Sequence, residues 1–161
     1  MRRPLDPSTA SIGVDANALN KDGSGNDALV DRFLDLKREG KVRPITPHGV
    51  RREVQHPRTP QHVSGPMLSG LYTLPTELTA PERQQLNKIE KALQGNARLG
   101  KHADDAKHLF DAGKHCAYFI THDKRILKRS HGLDVLPPSL TVVTLAEFLK
   151  IYDDYETGRR T

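Results

Sequence analysis

Four acidic residues occupy places where the chain would bring their side chains to one edge of a β-sheet. Asp15 directly follows the apolar run SIGV, and Asp123 lies just past the apolar run AYFIT. Asp105 stands near the start of a predicted helix, and Glu53 lies on a predicted helix after the second strand. Carboxylates brought together repel one another, and their pKa values rise unless a cation keeps them ionised. An oxygen-rich cluster of this kind suits Mg²⁺ or Mn²⁺.

Each of these acids also has an ordinary structural interpretation. Asp15 fits a turn or a helix cap, and Asp123 fits the N-cap of a short helical turn. Asp105 lies in a first helical turn, where the helix dipole favours negative charge. Glu53 fits a surface residue paired with a neighbouring arginine. Capping and metal binding are compatible for Asp123, so both interpretations stay open there.

The helical period separates the two neighbouring acids Asp104 and Asp105. At 3.6 residues per turn, Asp105 lies on a stripe of mainly apolar residues: Leu109, Ala112 and Cys116. Asp104 lies on a stripe of polar residues that we expect to face solvent: His108, Asp111 and His115. An unpaired carboxylate on the core side of a helix costs free energy. The stripe therefore selects Asp105 as the acid that faces a metal ion or a paired cation.

Short apolar segments alternate with helical patterns along the chain. The predicted strands are 11–15, 42–45, 117–121 and 140–143. Helical patterns begin near Asp27, at Thr46-Pro47, near His102, and at the two capping-box sequences that start at Thr79 and Thr144. This alternation predicts an α/β fold, a three-layer α/β/α sandwich around a central parallel sheet of four to five strands.

The length and composition of the chain favour one domain. At 161 residues the chain can bury one compact core, and it is short for two. We expect a flexible lead-in over 1–10, a single domain over 11–153 and a polar tail over 154–161. The stretch 55–78 is rich in proline and is predicted to be an irregular insertion.

The charge of the chain favours a polyanionic partner. The formal net charge is +5, and nucleic acid is the commonest polyanion for a basic surface. Several basic residues surround the acids and are candidates for binding a nucleic-acid backbone: Lys101, Lys107, Lys124, Arg125 and Lys128. The same residues also fit a solvated charged surface.

Other features bear on location. Cys116 is the one cysteine, so no disulfide can form within the chain, which suits a reducing compartment. No stretch approaches the roughly 18 apolar residues that a membrane helix requires. The first residues lack an apolar run for export. The sequence therefore predicts a cytoplasmic protein that does not associate with a membrane.

The histidines do not form a recognisable zinc site. Five of the eight lie between His102 and His131, yet their spacing fits no zinc signature and there is no second cysteine. We expect most of them on the surface. His102 and His122 lie close enough to the acids in sequence to touch a substrate or to order a carboxylate.

The order of these residues resembles that of PIN-domain nucleases. That family shows a first-strand Asp followed by a small polar residue, a Glu after the second strand, a helix that begins with Asp-Ala, and a strand that ends in Thr-x-Asp. The matching segments here are Val14-Asp15-Ala16-Asn17, Glu53, Asp105-Ala106 and Thr121-His122-Asp123. The resemblance covers roughly residues 11–150, and it matches poorly over 55–78. Glu39 and Glu77 are the other acids near Glu53.

The resemblance implies a PIN-like fold and a metal-dependent ribonuclease activity that leaves a 5′-phosphate. Asp15, Glu53, Asp105 and Asp123 would be the catalytic residues and would bind one or two Mg²⁺ or Mn²⁺ ions. Asn17 and Thr121 would support them, with Asp104 as the alternative to Asp105. Because many relatives are VapC-type toxins of toxin–antitoxin pairs, the implied partners are RNA, an antitoxin protein and a second copy of the chain.

Two other functions remain to be compared with the nuclease. A PIN-like module could bind RNA or a protein without cutting, although the presence of all four acids favours the enzyme. A phosphatase with an Asp nucleophile would need a second Asp two residues after Asp15. Asn17 occupies that position, which argues against the phosphatase.

Overall fold

The computed structural model describes residues 4–21, 23, 25–46, 71–72, 77–95, 102–130, 136–137 and 139–160. The strands are β1 (Ser11–Val14), β2 (Arg43–Thr46), β3 (Leu71–Tyr72), β4 (Tyr118–Ile120) and β5 (Thr141–Val143). The helices in these ranges are α1 (Asn26–Arg38), α2 (Ala80–Gln94), α3 (Ala103–His115), α4 (Lys124–Ser130) and α5 (Leu145–Arg160). A 3₁₀ turn (Ala16–Leu19) follows β1 directly.

The strands form an all-parallel sheet in the order β3-β2-β1-β4-β5. Four strands of three or four residues make its body, and the two-residue β3 extends it beside β2. β1 is central, with Ser11 opposite Arg43 of β2 and Val14 opposite Ile120 of β4. The predicted α/β fold with a parallel sheet of four to five strands is confirmed. Each predicted strand end lies within one residue of the observed one.

Alternate residues of the strands pack into two different hydrophobic clusters, because successive side chains of a strand point to opposite faces. Ile12 and Val14 of β1 pack with residues of α1 and α5: Val30, Phe33, Leu36, Leu145, Phe148 and Leu149. The ring of Phe148 meets those of Phe33 and Tyr118 edge-on, with centroids 5.9 and 5.4 Å apart. The second cluster joins Phe119 of β4 and Val142 of β5 to residues of α2, α3 and α4: Ile89, Leu93, Leu109, Ala112 and Ile126.

Gly13 of the central strand faces the ring of Phe119 and the C-terminal end of helix α3. A Cβ at this position would lie 3.2 Å from Cδ2 of Phe119, 3.4 Å from Sγ of Cys116 and 3.5 Å from Cβ of Ala112. Cys116 directly follows α3 and is buried, and burial raises its thiol pKa to about 12. A thiol in that state is inert, so Cys116 is a core residue.

Two capping boxes begin helices where the sequence predicted them. The hydroxyl of Thr79 accepts a hydrogen bond from the N–H of Glu82, and the N–H of Thr79 donates to the Glu82 carboxylate at 3.0 Å. Thr144 and Glu147 make the same reciprocal pair before α5. Each pair satisfies two backbone donors at a helix start, which fixes where α2 and α5 begin.

The C-terminal helix continues further than the sequence predicted. We expected a polar tail over 154–161, but α5 runs to Arg160. Its last turns hold the N-terminal segment, because Tyr155 donates to the carbonyl of Pro4 and Arg159 binds both the carboxylate of Asp6 and, at 2.8 Å, the hydroxyl of Ser8. These partners are about 150 residues away in the chain, so the local composition that suggested a polar tail could not reveal them. The expected flexible lead-in over 1–10 is likewise held in place from Pro4 onward.

Most of the predicted insertion over 55–78 lies outside the described residues, as does the predicted helix after β2. Residues 71–72 of that stretch form β3. In the portion of the chain that the structure describes, we find no helix with both the length and the apolar character needed to cross a membrane.

Candidate functional site

The topology brings the ends of β1 and β4 together. The chain leaves β1 toward β2 on one side and returns to β4 on the other. Such a reversal of direction opens a crevice at the carboxyl edge, which is where open α/β sheets bind ligands. Asp15 follows β1 at this point, and its N–H donates to the carbonyl of Ile120 at 2.9 Å. The residues after β4, Thr121 to Asp123, therefore lie beside it.

Asp15 carries a buried carboxylate. The residue is only 6% exposed, and one carboxylate oxygen accepts the hydroxyl proton of Thr121 at 2.9 Å. Burial raises the pKa of Asp15 to about 6, and the negative charge of Asp123 adds to that rise. The hydrogen bond from Thr121 opposes it by stabilising the ionised form. Burial thus disfavours the ionised form of Asp15 by more than its hydrogen bonds stabilise it.

Thr121 connects two of the predicted acids. It is fully buried, and its hydroxyl oxygen also accepts the N–H of Asp123 at 3.1 Å. A hydroxyl has one proton to donate, and the Asp15 contact is shorter than the 3.4 Å contact with Asn17. Thr121 therefore donates to Asp15 and accepts from the backbone of Asp123.

Asn17 ties the turn after β1 to the loop after β4. Its side-chain oxygen accepts the N–H of His122 at 2.9 Å. The residue lies in the 3₁₀ turn that begins directly after Asp15. Asn17 and Thr121, to which the family resemblance gave supporting roles, are both in contact with the loop that carries Asp123.

Asp123 caps helix α4, which was one of its two interpretations. One oxygen, Oδ1, accepts the backbone N–H groups of Arg125 at 2.8 Å and Ile126 at 3.2 Å. The other oxygen, Oδ2, takes no part in this cap. Capping therefore orients the carboxylate through one oxygen and leaves the second for another partner.

Asp105 lies in the first turn of α3 and is half-buried. Burial raises its pKa, and the charges of Asp123 and Asp15 raise it further. This mutual repulsion means that the three carboxylates share one electrostatic environment. Asp104, its neighbour, is exposed. The structure thus distinguishes the two acids in the way that the helical stripe predicted.

One prediction about the surface of α3 is wrong. His108, expected on a solvated face, is only 2% exposed. The reason is that α3 packs against both the sheet and α2, so more than one stripe of the helix is covered. His102, which the sequence placed close enough to the acids to order a carboxylate, is 7% exposed. Nδ1 of His102 lies 3.4 Å from a carboxylate oxygen of Asp105.

His122 lies between the acidic site and the start of α5. Its Nε2 accepts the N–H of Leu145 at 3.4 Å, which requires a neutral ring with its proton on Nδ1. Burial lowers the pKa of His122, and the charge of Asp15 opposes that effect. The imidazole therefore supports the start of α5.

The predicted basic residues divide into two groups. Lys107, Lys124 and Lys128 are exposed and free to face solvent or a ligand. Arg125, by contrast, is half-buried and donates to the carbonyl of Leu93 at 3.4 Å. Arg129 acts similarly, donating to the carbonyl of Ala92 at 2.9 Å. These two arginines bind the last carbonyls of α2, a structural role that the sequence did not reveal for Arg125.

Two of the predicted residues lie outside the described part of the chain: Glu53 and Lys101. The alternative acids do not replace Glu53 among the described residues, since Glu39 forms an ion pair with Lys41 at 2.6 Å and Glu77 is exposed. The fourth acid of the proposed cluster therefore stays a prediction.

The donor chemistry at this edge fits a divalent cation of the magnesium type. Asp15, Asp105 and Asp123 offer carboxylate oxygens, and burial together with repulsion among these acids raises the pKa values of the first two. Within the described ranges, no group of three or more His, Cys, Asp or Glu side chains is already arranged to hold a metal ion. The three acids thus supply suitable ligands in one neighbourhood without forming a complete set.

No protein-family model, curated protein or solved structure matches this chain. Clustered acids at the carboxyl edge of a parallel sheet can bind a divalent cation, position a water molecule or accept a proton.

Proposed function

We propose that the protein is a divalent-metal-dependent endoribonuclease with a PIN-like, three-layer α/β/α fold. The observation that carries this proposal is the buried Asp15 carboxylate at the reversal point of the sheet, where the charge of Asp123 repels it. Asp105 interacts with both. An exposed acid at a turn needs no ligand, but three mutually repelling carboxylates at a ligand-binding edge favour a cation.

The chain's own residues would organise the site in defined ways. Thr121 holds Asp15 in one orientation, and the N–H groups of Arg125 and Ile126 hold Asp123. Asp15, Asp105 and Asp123 are the residues that would hold Mg²⁺ or Mn²⁺, with Glu53 as the predicted fourth. When bound, the ion would activate a water molecule and neutralise charge on the phosphate.

The substrate class is proposed from charge and from the family resemblance together. The net charge is +5, and three exposed lysines lie on the helices that follow or carry two of the acids: Lys107, Lys124 and Lys128. Such residues can neutralise phosphates along a nucleic-acid strand. Cleavage is expected to leave a 5′-phosphate and a 3′-hydroxyl.

A non-catalytic module that binds RNA is the second candidate. It is favoured by one observation, the lack of a complete ligand set among the described acids. The two functions differ in whether RNA is shortened, so a single assay separates them.

The decisive experiment follows a fluorescent single-stranded RNA with purified protein in Mg²⁺, in Mn²⁺ and in EDTA. The variants are Asp15→Asn, Asp123→Asn and Asp105→Asn, with Asp104→Asn as the matched control. Asparagine still accepts the Thr121 proton at 15, and it caps a helix as well as aspartate at 123, so folding should be retained. We expect metal-dependent cleavage to fall about 100-fold or more in the first three variants and to persist in Asp104→Asn.

Two results would overturn the proposal. Cleavage that survives in EDTA, or that is equal in wild type and Asp15→Asn, would indicate a different enzyme or a contaminant. RNA that binds but stays intact in both metals would favour the non-catalytic module.

A further inference from the structure

We propose that His102 is a positioning residue that holds the carboxylate of Asp105 toward the acidic edge of the sheet. This inference rests on the proposed function, because it concerns how one metal ligand is oriented. It gives a defined role to one of the two histidines that the sequence placed close enough to the acids to order a carboxylate.

The first observation is the contact itself. Nδ1 of His102 lies 3.4 Å from Oδ2 of Asp105, three residues along the chain. His102 occupies the N-cap position of α3, yet its side chain makes no capping hydrogen bond. Its carbonyl accepts the N–H of Ala106 at 3.0 Å, which fixes the first turn. The ring is therefore turned toward Asp105, and it does not cap the helix as the side chain at this position usually does.

The second observation is burial. His102 is 7% exposed, and among the described residues its other ring nitrogen, Nε2, has no hydrogen-bond partner. Burying a polar ring is unfavourable unless its polar atoms find partners. Within the described part of the chain, the contact with Asp105 is thus the interaction that accounts for a histidine here.

The third observation concerns Asp105, which is half-buried and is repelled by the charges of Asp123 and Asp15. An aspartate side chain that accepts no hydrogen bond could relieve that repulsion by rotating toward solvent. A donor on one of its oxygens opposes the rotation. His102 thereby keeps the carboxylate near the other two acids, in the way that outer-shell partners orient metal ligands.

Because the contact is made by Nδ1 of the ring, the test variants differ in whether they can place a nitrogen at that position. Asparagine can place its amide nitrogen near the position of Nδ1, whereas glutamine reaches only to the position of Nε2. His102→Asn should therefore keep the Asp105 contact, and His102→Gln should lose it although both variants are neutral amides. His102→Phe removes every donor and keeps the ring volume. His115→Phe is the control, because His115 is exposed at the far end of the same helix.

The test measures binding of Mn²⁺ alone, by the electron paramagnetic resonance signal of the free ion, on proteins whose folding is checked by thermal unfolding. We expect His102→Phe and His102→Gln to weaken Mn²⁺ binding about 10-fold, the lower end of the usual range for outer-shell partners. His102→Asn and His115→Phe should bind within about twofold of wild type.

A double-mutant cycle shows whether His102 acts through Asp105. In an Asp105→Asn background the carboxylate that His102 holds is gone, so adding His102→Phe should weaken Mn²⁺ binding no further. An equal loss in both backgrounds would overturn the inference, since the histidine would then act on the fold or bind the metal itself. Equal loss in His102→Asn and His102→Gln would overturn it too.

The outcomes also separate this inference from the proposed function. If wild-type protein binds Mn²⁺ and cleaves RNA while His102→Phe matches it in affinity, only the positioning role fails. If wild-type protein binds no Mn²⁺, the metal-dependent nuclease fails, and the role of His102 fails with it.

Discussion

The hydroxyl of Thr121 donates a hydrogen bond of 2.9 Å to the buried carboxylate of Asp15, joining residues 106 positions apart in the chain. The same oxygen accepts the N–H of Asp123 at 3.1 Å. One buried hydroxyl thus links the ends of two adjacent parallel strands and orients two acids. Its removal should affect stability and site geometry together.

Replacing Thr121 with valine tests this link. Thr121→Val keeps the shape of the side chain but leaves the Asp15 carboxylate without its donor and the Asp123 N–H without its acceptor. We expect the free energy of unfolding in urea to fall by about 1–3 kcal/mol at pH 7.5. The loss should be smaller at pH 4.5, because the lost bond favours the ionised form of Asp15.

Thr121→Ser is the control for that substitution. It keeps the hydroxyl and removes one methyl group, which should cost about 1 kcal/mol or less. It should also keep the pH dependence of wild type. A serine variant with the full pH-dependent loss of the valine variant would show that the hydroxyl does not hold Asp15.

The raised pKa of Asp15 predicts how stability varies with pH. The folded-state value is about 6, above the ordinary value of 3.8, so protonation of this carboxyl favours the folded state. Its contribution is fully present below pH 3.8 and is lost as the pH rises through about 6. A shift of this size corresponds to about 3 kcal/mol.

Asp15→Asn should therefore be more stable than wild type at pH 7.5, with a flatter pH dependence between about 4 and 6. Urea unfolding at a series of pH values in EDTA measures both. Adding Mg²⁺ should raise the stability of wild type more than that of the variant. If the variant is less stable than wild type at pH 7.5, and its stability varies with pH as steeply as that of wild type, then burial does not raise the pKa of Asp15.

The basic residues of α4 should separate into structural and nucleic-acid-binding roles. Arg129→Gln and Arg125→Gln each remove donors to carbonyls at the end of α2, so each should lower stability in urea by about 1 kcal/mol. Lys128→Gln, which changes an exposed side chain of the same helix, should leave stability unchanged.

Lys128, whose replacement should leave stability unchanged, is the residue of α4 that we expect to affect RNA affinity. If Lys128 contacts a phosphate, Lys128→Gln should reduce the slope of log affinity against log salt by about 1. Fluorescence anisotropy with a labelled RNA over a range of salt concentrations measures this slope in the catalytically impaired Asp15→Asn background. An unchanged slope would assign Lys128 to the solvated surface.

The contacts of α5 with the N-terminal segment should slow hydrogen exchange there. Tyr155→Phe removes the donor to the carbonyl of Pro4. We expect faster amide exchange at Thr9 and Ala10, whose N–H groups donate to the carbonyl of Asp6. Arg38→Gln breaks an exposed ion pair within one helix and should leave exchange at Thr9 and Ala10 unchanged. Equal exchange in all three proteins would show that the segment is held by other contacts.

Much of the fold could be predicted because its signals are local. The capping boxes at Thr79 and Thr144 fix helix starts through bonds between residues three positions apart. The stripe that includes Leu109 placed Asp105 toward the site and Asp104 in solvent. Short apolar runs followed by an acid located the ends of β1 and β4.

The errors concern interactions between distant parts of the chain. His108 is buried because α3 contacts α2 as well as the sheet, and no stripe within one helix shows that. Arg125 lies in a basic sequence, but its partner is a carbonyl 32 positions earlier. Residues such as Tyr155 continue α5 because their partners are near the N-terminus. A positive charge or a polar composition gives no indication of such partners.

The absence of a Cβ at Gly13 affects the acidic edge of the sheet as well as the core. A methyl group there would lie 3.2 Å from the ring of Phe119, which would have to give by a few tenths of an ångström, and would make ordinary contacts with Cys116 and Ala112. Phe119 directly precedes Ile120, whose carbonyl accepts the N–H of Asp15, so the displaced ring is one residue away from the acidic edge. Gly13→Ala would thus resemble a mild mutation of the acidic edge, although residue 13 is chemically inert and contributes no side chain to that edge.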